Sequence, residues 1–200
     1  MRLLLLLLAL LLGAPTALAA KTILIVGDSL SAGYGLRLEE AWPSLLAGRL
    51  AEQHFDYSVA NISISGETTA GGRSRLASAL REHKPVVVVI ALGANDGLRG
   101  LALEQMRDNL DAMIVAAQQA GARVLLVGML LPPNYGSYAD QFQAVFVEVA
   151  QARQTALLPF LLEPAVSRPQ LFQADNRHPT AAAQPLILDH LWPALAPLLK

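Results

Sequence analysis

Ser29 is the first residue of this sequence whose type and setting fit chemistry. It lies where the apolar run Thr22–Val26 gives way to Gly27-Asp28-Ser29. A β-branched run that stops at such residues predicts a buried strand followed by a tight turn. The turn would lift the hydroxyl off the sheet edge and leave backbone N–H groups facing a developing negative charge, as acyl transfer requires. Taken alone, the motif more often marks a loop in which Asp28 or Ser29 binds local backbone donors.

A serine nucleophile needs a base within hydrogen-bond reach and a third group that orients the base. Two of the four histidines, His54 and His83, fall at the ends of predicted helices on the opposite edge of the sheet. His190 lies in the last predicted helix beside Asp189, and adjacent helical residues point to different faces. His178 is therefore the candidate base.

Asp175 is the candidate orienting group, because it precedes His178 by three residues. In a turn or a first helical turn, that spacing lets a carboxylate meet the imidazole of the same segment. The Asp-x-x-His pattern is common, however. If Ser29 had no other partner, a helix-capping role would explain Asp175 about equally well.

The oxyanion of a tetrahedral intermediate also needs hydrogen-bond donors. Three are available: the Ser29 N–H, the Gly66 N–H and the side-chain amide of Asn95. Glycine suits position 66 because the backbone must come close to a substrate there. Asn95 has a second explanation as a turn residue that binds its own backbone after a strand.

Alternating strands and helices are predicted to position these residues. The predicted strands cover residues 22–26, 57–60, 86–92, 123–128 and 156–158, and the predicted helices cover 41–53, 73–82, 103–117, 137–153 and a proline-interrupted segment after 180. This order predicts an α/β fold: a three-layer α/β/α doubly wound domain with a mainly five-stranded parallel sheet. The loops after such strands share one edge, where ligands bind. We therefore expect Ser29, Gly66 and Asn95 to converge with the loops at 132–136 and 175–178.

Apolar residues in the same loops are candidates for a groove that binds an acyl chain. They are Leu36, Pro132, Pro133 and Tyr135. Ligand pockets are lined mainly by apolar side chains, which these residues would supply. Packing of the loops against the fold explains the same residues equally well.

Residues 1–19 have the composition of a targeting segment. Arg2 supplies a positive start, Leu3–Leu12 an apolar core and Ala17–Ala19 a small-residue cleavage pattern, so we expect cleavage after Ala19. As a helix the core is roughly 15 Å long, against a hydrocarbon layer of about 30 Å. An uncleaved anchor is the alternative, because the uncharged stretch continues to Ala20.

Composition limits the function classes open to residues 20–200, which are long enough for a single domain. Removal of Arg2 lowers the Lys plus Arg count from 15 to 14, against 16 Asp plus Glu. These charges form no cluster of the kind that binds nucleic acid. The absence of cysteine excludes disulfides, thiolate catalysis, cysteine metal sites and a lipid-modified amino-terminal cysteine.

We therefore expect an exported protein, periplasmic or secreted, with no stable membrane anchor after cleavage. No clustered ligand pattern indicates a metal, and we expect no cofactor. The expected partner is a small acyl ester or thioester rather than a nucleic acid, and the expected state is a monomer.

Four motifs occur in the order seen in the SGNH, or GDSL, hydrolases. They are Gly27-Asp28-Ser29-Leu30, the glycine at 66, Gly93-Ala94-Asn95-Asp96 and Asp175-x-x-His178-Pro179. The chain resembles that family over nearly all of residues 20–200. The resemblance implies a flavodoxin-like sheet of the SGNH-hydrolase type, with Ser29 as nucleophile, His178 as base and Asp175 as its orienting acid. It also implies Ser29, Gly66 and Asn95 as oxyanion donors.

Two further stretches, Ser63–Thr68 and Leu131–Gly136, resemble one group within that family. These are the bacterial periplasmic enzymes that act as acyl-CoA thioesterases, lysophospholipases and arylesterases. Two departures stand out, since relatives often carry Gly-Ile where this chain has Asn176-Arg177 and a second glycine where it has Ala94. Arg177 is a candidate contact for an acidic or phosphate-bearing leaving group.

Two other functions fit the same residues. A carbohydrate O-deacetylase would need a small polar pocket and aromatic side chains that stack on sugars, and only 6% of this chain is aromatic. A non-catalytic periplasmic binding module would keep the fold without the reaction. Against that second reading, every residue type needed for acyl transfer is present at once.

Overall fold

The computed structural model describes residues 20–200, in which a parallel sheet of five strands lies between two layers of helices. The strands are β1 (Lys21–Gly27), β2 (Tyr57–Asn61), β3 (Val87–Ala91), β4 (Arg123–Val127) and β5 (Ala156–Leu158). The helices are α1 (Ser29–Ala32), α2 (Trp42–Glu52), α3 (Thr69–His83), α4 (Ala94–Leu98), α5 (Leu103–Gln119), α6 (Ser137–Ala152) and α7 (Gln184–Leu195). The predicted targeting segment, residues 1–19, lies outside the described residues.

The strand order is β2-β1-β3-β4-β5, and every neighbouring pair is parallel. The predicted three-layer doubly wound fold is therefore confirmed. In this order the chain reverses its direction of winding between β1 and β3, and a crevice opens there at the carboxyl ends of the strands. Ser29 follows β1 and Asn95 follows β3, so both residues lie at that crevice.

Side chains from the two faces of the sheet fill two separate cores. Ile23 and Ile25 of β1 point toward α2 and α7, whereas Leu24 and Val26 point toward α3, α5 and α6. All five residues of β3 are buried, as the predicted strand with two covered faces requires. With both faces covered, the carboxyl edge of the sheet is left to hold the site.

Helix α3 begins at Thr69, four residues before its predicted start at Arg73. The glycines at 71 and 72 lower the intrinsic helix propensity, which explains the late predicted start. Thr68 compensates for this, because its side chain accepts a hydrogen bond from the Gly71 N–H (3.5 Å). The predicted loop at 61–72 is correspondingly shorter.

The predicted turn at 93–97 contains the short helix α4, and the loop at 132–136 contains a 3-10 turn, Pro133–Tyr135. The other predicted elements are confirmed, with ends that differ by one or two residues. Pro193 lies inside α7, as expected of a proline-interrupted helix. No helix within residues 20–200 combines the length and apolar content needed to cross a bilayer.

A buried hydrogen bond ties the start of the fold to its end. The backbone N–H of Trp42 at the start of α2 donates to Oε1 of Gln184 at the start of α7, over 3.0 Å. Both residues are almost fully buried. This contact docks α7 beside the first part of the chain, and with it the segment just before α7.

Candidate active site

Ser29 occupies the first position of α1, directly after β1. Asp28 caps this helix, since its Oδ1 accepts a hydrogen bond from the Leu30 N–H (3.0 Å). The local capping role considered for Asp28 is therefore correct. It does not exclude a reactive Ser29, whose side chain is left half-buried at the sheet edge.

The structure places the imidazole of His178 next to Ser29, although 149 positions separate the two residues. His178 Nε2 lies 2.9 Å from Ser29 Oγ, and its Nδ1 lies 2.5 Å from Asp175 Oδ2. One ring nitrogen thus faces the hydroxyl and the other faces the carboxylate. This geometry lets the imidazole take the serine proton while the carboxylate holds the ring in orientation.

Asp175 accepts three hydrogen bonds from its own segment. Besides the His178 imidazole, the backbone N–H groups of Arg177 and His178 donate to its Oδ1, each over 3.0 Å. The imidazole contact, followed by these two N–H groups, holds the pKa of Asp175 well below its usual range. Asp175 is therefore a carboxylate at neutral pH, as an orienting group for an imidazolium must be.

The segment between these two residues turns through a left-handed backbone conformation at Asn176, where φ is 55°. Glycine adopts this conformation without strain, and asparagine is among the few other residues that visit it routinely. The departure from glycine at position 176 therefore preserves the turn that brings Asp175 and His178 together.

Two of the predicted oxyanion donors are free to bind a ligand. The backbone N–H groups of Ser29 and Gly66 find no acceptor within residues 20–200. Gly66 has a φ of 81°, which favours glycine at this position. Ser29 follows β1 at the crevice, and Gly66 lies in the loop that follows β2.

Asn95, the third predicted donor, is already engaged. Its Nδ2 donates to the backbone oxygen of Glu67 (2.9 Å) and to Asp28 Oδ2 (3.3 Å). The alternative that Asn95 binds only its own turn is therefore wrong. The amide instead links the three loops that follow β1, β2 and β3.

Asp28 is an almost fully buried carboxyl group beside the site. Burial raises its pKa to about 6, while the Leu30 N–H and the nearby His178 lower it and Asp96 raises it. The sequence offered Asp28 or Ser29 as a residue that binds local backbone donors. Asp28 also accepts a hydrogen bond from Asn95, and this contact forms because β1 lies beside β3 in the sheet.

Arginine side chains hold the loop that carries Gly66. Arg99, at the end of α4, donates from Nη2 to the Gly66 oxygen (2.9 Å). Arg75 of α3 pairs with the Glu67 carboxylate (2.7 Å) and donates to the Ile62 oxygen (2.6 Å). These contacts hold the Gly66–Glu67 peptide, the Glu67 side chain and the backbone at Ile62.

A second buried carboxylate, Asp96, joins α3 to α4. It accepts hydrogen bonds from the Thr69 N–H (2.9 Å) and the Thr69 hydroxyl (2.5 Å). Asn109 Nδ2 of α5 in turn donates to the hydroxyl oxygen of Thr69 (3.1 Å). This network holds Asn95, the neighbour of Asp96, in register with the Gly66 loop.

Two residues that the sequence reasoning did not select touch the candidate base and its segment. The ring of Tyr34 lies on that of His178, with centroids 4.4 Å apart and planes tilted by 36°. Gln173 Nε2 donates to the backbone oxygens of Tyr34 (2.8 Å) and Pro179 (3.0 Å). The glycines on both sides of Tyr34 were the one sequence signal of an unusual turn there.

The predicted groove residues lie in two loops. Leu36 is half-buried after α1, and Tyr135 is half-buried with its hydroxyl donating to the Leu98 oxygen (3.0 Å). Pro132, Pro133 and Arg177 are exposed.

A cavity of about 320 Å³ opens beside the second of these loops. Of the four predicted groove residues, Pro133 lines it, together with Leu130, Leu131 and Asp140. The cavity walls are therefore both apolar and polar. Leu36 and Arg177 do not line this cavity.

The remaining histidines stay outside the site. His54 and His83 are found at helix ends, and His190 Nε2 lies 2.9 Å from the Phe160 oxygen and 3.3 Å from a Glu163 oxygen. In the described part of the chain, no group of three His, Asp or Glu side chains is arranged to hold a metal ion.

The model of the GDSL-like lipase/acylhydrolase family matches residues 25–185. The chain is 51% identical over 182 residues to Esterase TesA of Pseudomonas aeruginosa, which covers 90% of each chain. It is 41% identical over 185 residues to Thioesterase 1/protease 1/lysophospholipase L1 of Escherichia coli, which covers 92% of this chain and 88% of that protein.

A solved structure gives the same relationship. The psychrotrophic esterase EstA from Pseudoalteromonas sp., inhibited by monoethylphosphonate, superposes with a TM-score of 0.86 at 39% identity. The superposition covers 90% of this chain and 98% of that one. Sequence and fold therefore agree over nearly all of the described residues.

Proposed function

The chain belongs to the GDSL-like lipase/acylhydrolase family, and from that premise we propose that Ser29, His178 and Asp175 carry out its reaction through a covalent acyl-enzyme. The protein is a hydrolase that cleaves ester bonds. One observation carries the assignment of residues: His178 lies between Ser29 Oγ, at 2.9 Å, and Asp175 Oδ2, at 2.5 Å.

In the first half of the proposed reaction, Ser29 Oγ attacks the acyl carbonyl while His178 Nε2 takes the hydroxyl proton. The carbonyl oxygen becomes an oxyanion and accepts hydrogen bonds from the N–H groups of Ser29 and Gly66 and from Asn95. The bond to the leaving oxygen or sulfur then breaks. His178 returns the proton to the leaving group, and the acyl chain remains on Ser29.

In the second half, a water molecule attacks the acyl-enzyme while His178 takes one of its protons. The oxyanion forms again at the same donors. When the bond to Ser29 Oγ breaks, His178 protonates that oxygen and the free acid leaves. Asp175 stays ionised throughout, because its hydrogen bonds keep its pKa low.

We propose thioesters and lysophospholipids as substrates beside simple and aryl esters. A relative of 41% identity is named for thioesterase and lysophospholipase activity. Arg177 supports a phosphate-bearing leaving group, because it is exposed one residue from His178. Arg177→Ala should then raise KM for lysophospholipid and leave KM for neutral esters unchanged, whereas the exposed Arg168→Ala should change neither.

Colour release from p-nitrophenyl acetate and butyrate tests the nucleophile. Ser29→Ala should lose at least about 10⁴-fold in turnover, as removal of a serine nucleophile does. Ser78→Ala, at an exposed serine of α3, should retain full activity. Equal rates from Ser29→Ala and the unchanged protein would overturn the assignment.

An acyl-length series on matched oxygen esters and CoA thioesters tests the substrate class. A long-chain optimum with comparable rates on both series would support the proposal. Activity confined to acetyl esters, with none on the thioesters, would favour the carbohydrate O-deacetylase instead.

We propose that residues 1–19 direct export and are removed after Ala19. Their charged start, apolar core and small-residue end support this. The amino-terminal residue of protein recovered from outside the cytoplasm should then be Ala20. Recovery of the intact chain from the membrane would favour the uncleaved anchor.

A further inference from the structure

We propose that Tyr34 and Gln173 are positioning residues that set the distance between the Ser29 hydroxyl and the His178 imidazole. The inference rests on the proposed function, because it assigns a task within that reaction. Neither residue supplies a proton or an electron pair to the substrate in this role.

The need for such residues follows from where His178 lies. The segment that carries it runs from Phe172 to Pro179, outside any helix or strand, and its ends meet through a single antiparallel bridge. Four of its eight residues, 174–177, are exposed. Hydrogen bonds within the segment set its shape, as between the Gln173 N–H and the His178 oxygen (2.8 Å). They do not set its position relative to Ser29.

Tyr34 makes three contacts that set the position of this segment relative to Ser29. Its backbone N–H donates to the Ser29 oxygen (3.1 Å), and its backbone oxygen accepts from Gln173 Nε2 (2.8 Å). Its ring covers one face of the His178 imidazole. One residue thus touches both reacting partners and the segment that holds the base.

Gln173 completes the connection through its carboxamide. The two hydrogens of Nε2 go to Tyr34 on one loop and to Pro179 on the other. The backbone at Gly35 passes so close that a Cβ there would clash with Gln173 Oε1. Only glycine leaves room for the carboxamide at this point.

The exposure of Tyr34 indicates that its side chain positions His178 rather than filling a core. The residue is 52% exposed, so the aromatic ring is not placed there to fill a core. What its ring does contact is the imidazole. Loss of the ring should therefore cost turnover more than stability.

Gln173→Met tests the carboxamide, because methionine has a similar length and no N–H group. We expect kcat on p-nitrophenyl butyrate to fall by about 10- to 100-fold, as small misplacements of reacting groups do. KM should stay within about twofold of the unchanged protein, since the substrate contacts are untouched. Gln118→Met is the matched control: Gln118 Nε2 also donates to a backbone oxygen, that of Arg153 (3.0 Å), away from the site. It should leave kcat unchanged.

Tyr34 variants test the ring and keep its backbone contacts. Tyr34→Phe should retain kcat, whereas Tyr34→Leu should lower it by about tenfold, because leucine gives no flat surface for the imidazole. Leu38→Ala, which removes a side chain 71% exposed in the same loop, should have no effect on kcat.

Unchanged kcat in both Gln173→Met and Tyr34→Leu would overturn the proposal and leave the assignment of Ser29 intact. A rise in KM at constant kcat would also overturn it, because it would make these residues substrate contacts. Thermal unfolding of each variant identifies a folding defect. If Gln173→Met fails to fold, the comparison of Tyr34→Leu with Tyr34→Phe decides.

Discussion

The side-chain amide of Asn95 donates to the buried carboxylate of Asp28 over 3.3 Å, while the same nitrogen donates to the Glu67 oxygen over 2.9 Å. Both amide hydrogens are thus occupied before any substrate binds. An oxyanion can take one of them only if the longer contact, to Asp28, gives way. The shorter contact, to the Glu67 oxygen, would keep the amide in a fixed orientation while it donates to the oxyanion.

Asn95→Ala should lower kcat on p-nitrophenyl butyrate by about 10²- to 10³-fold, the usual cost of losing one oxyanion donor. KM should change little, because the ground-state carbonyl needs the donor less than the oxyanion does. Steady-state kinetics on the folded variant measure both. An unchanged kcat would mean that the N–H groups of Ser29 and Gly66 are sufficient.

Asp28 should make the stability of the fold depend on pH. Its pKa is raised from 3.8 to about 6, so between these values the folded protein holds a proton that the unfolded chain releases. The resulting stabilisation is complete below the unfolded pKa and is lost as pH rises through the folded one. The shift corresponds to about 3 kcal/mol of unfolding free energy.

Asp28→Asn removes this titration. The difference in unfolding free energy between the variant and the unchanged protein should therefore move in favour of the variant as the pH rises from about 3.5 to about 7. Urea unfolding at a series of pH values measures the difference, in which the other carboxyl groups cancel. A difference that stays constant across the range would contradict the prediction.

Asp175→Asn should lower kcat by about 10⁴-fold, because the amide no longer stabilises the imidazolium or selects its tautomer. The thermal midpoint should fall only slightly, since the side chain lies at the surface. Asp111→Asn, which alters a surface carboxylate paired with Arg153 (2.5 Å), is the control and should keep full activity. Equal activities of the two variants would remove Asp175 from the mechanism.

Asn176→Val should strain the turn between Asp175 and His178, because a β-branched residue disfavours a φ of 55°. The expected loss is about 1–2 kcal/mol of unfolding free energy, together with a fall in kcat. Asn176→Gly should preserve both. Lys84→Val applies similar strain at a φ of 43° after α3, and it should lower stability alone.

Much of this arrangement could be predicted from the sequence, because parallel strands place their following loops on one edge. That rule predicts that Ser29, Asn95 and His178 lie at the same edge. Their chemical roles stay predictions. The predicted start of α3 was wrong, because the glycines at 71 and 72 have a low helix propensity. In the folded protein, the Thr68 cap and the buried contacts of the helix outweigh that low propensity.

Contacts between distant segments were beyond prediction. Gln173 binds the backbone of Tyr34, 139 positions away, and no local pattern marks either residue as a partner. The hydrogen bond from Asn95 to Asp28 likewise depends on β1 lying beside β3. That pairing brings the two following loops together, but it does not determine which of their polar atoms meet. Periodicity and turn chemistry describe residues that are close in sequence, whereas these contacts join residues that are far apart in sequence.

The separation of Ser29 from His178 has a consequence for synthesis. The proposed nucleophile, Ser29, is synthesised early, and the proposed base, His178, follows 149 residues later. The Trp42 contact with Gln184 forms later still. Until those last residues leave the ribosome, the nascent chain carries a serine with no base to activate it. We therefore expect ester cleavage only from the finished chain.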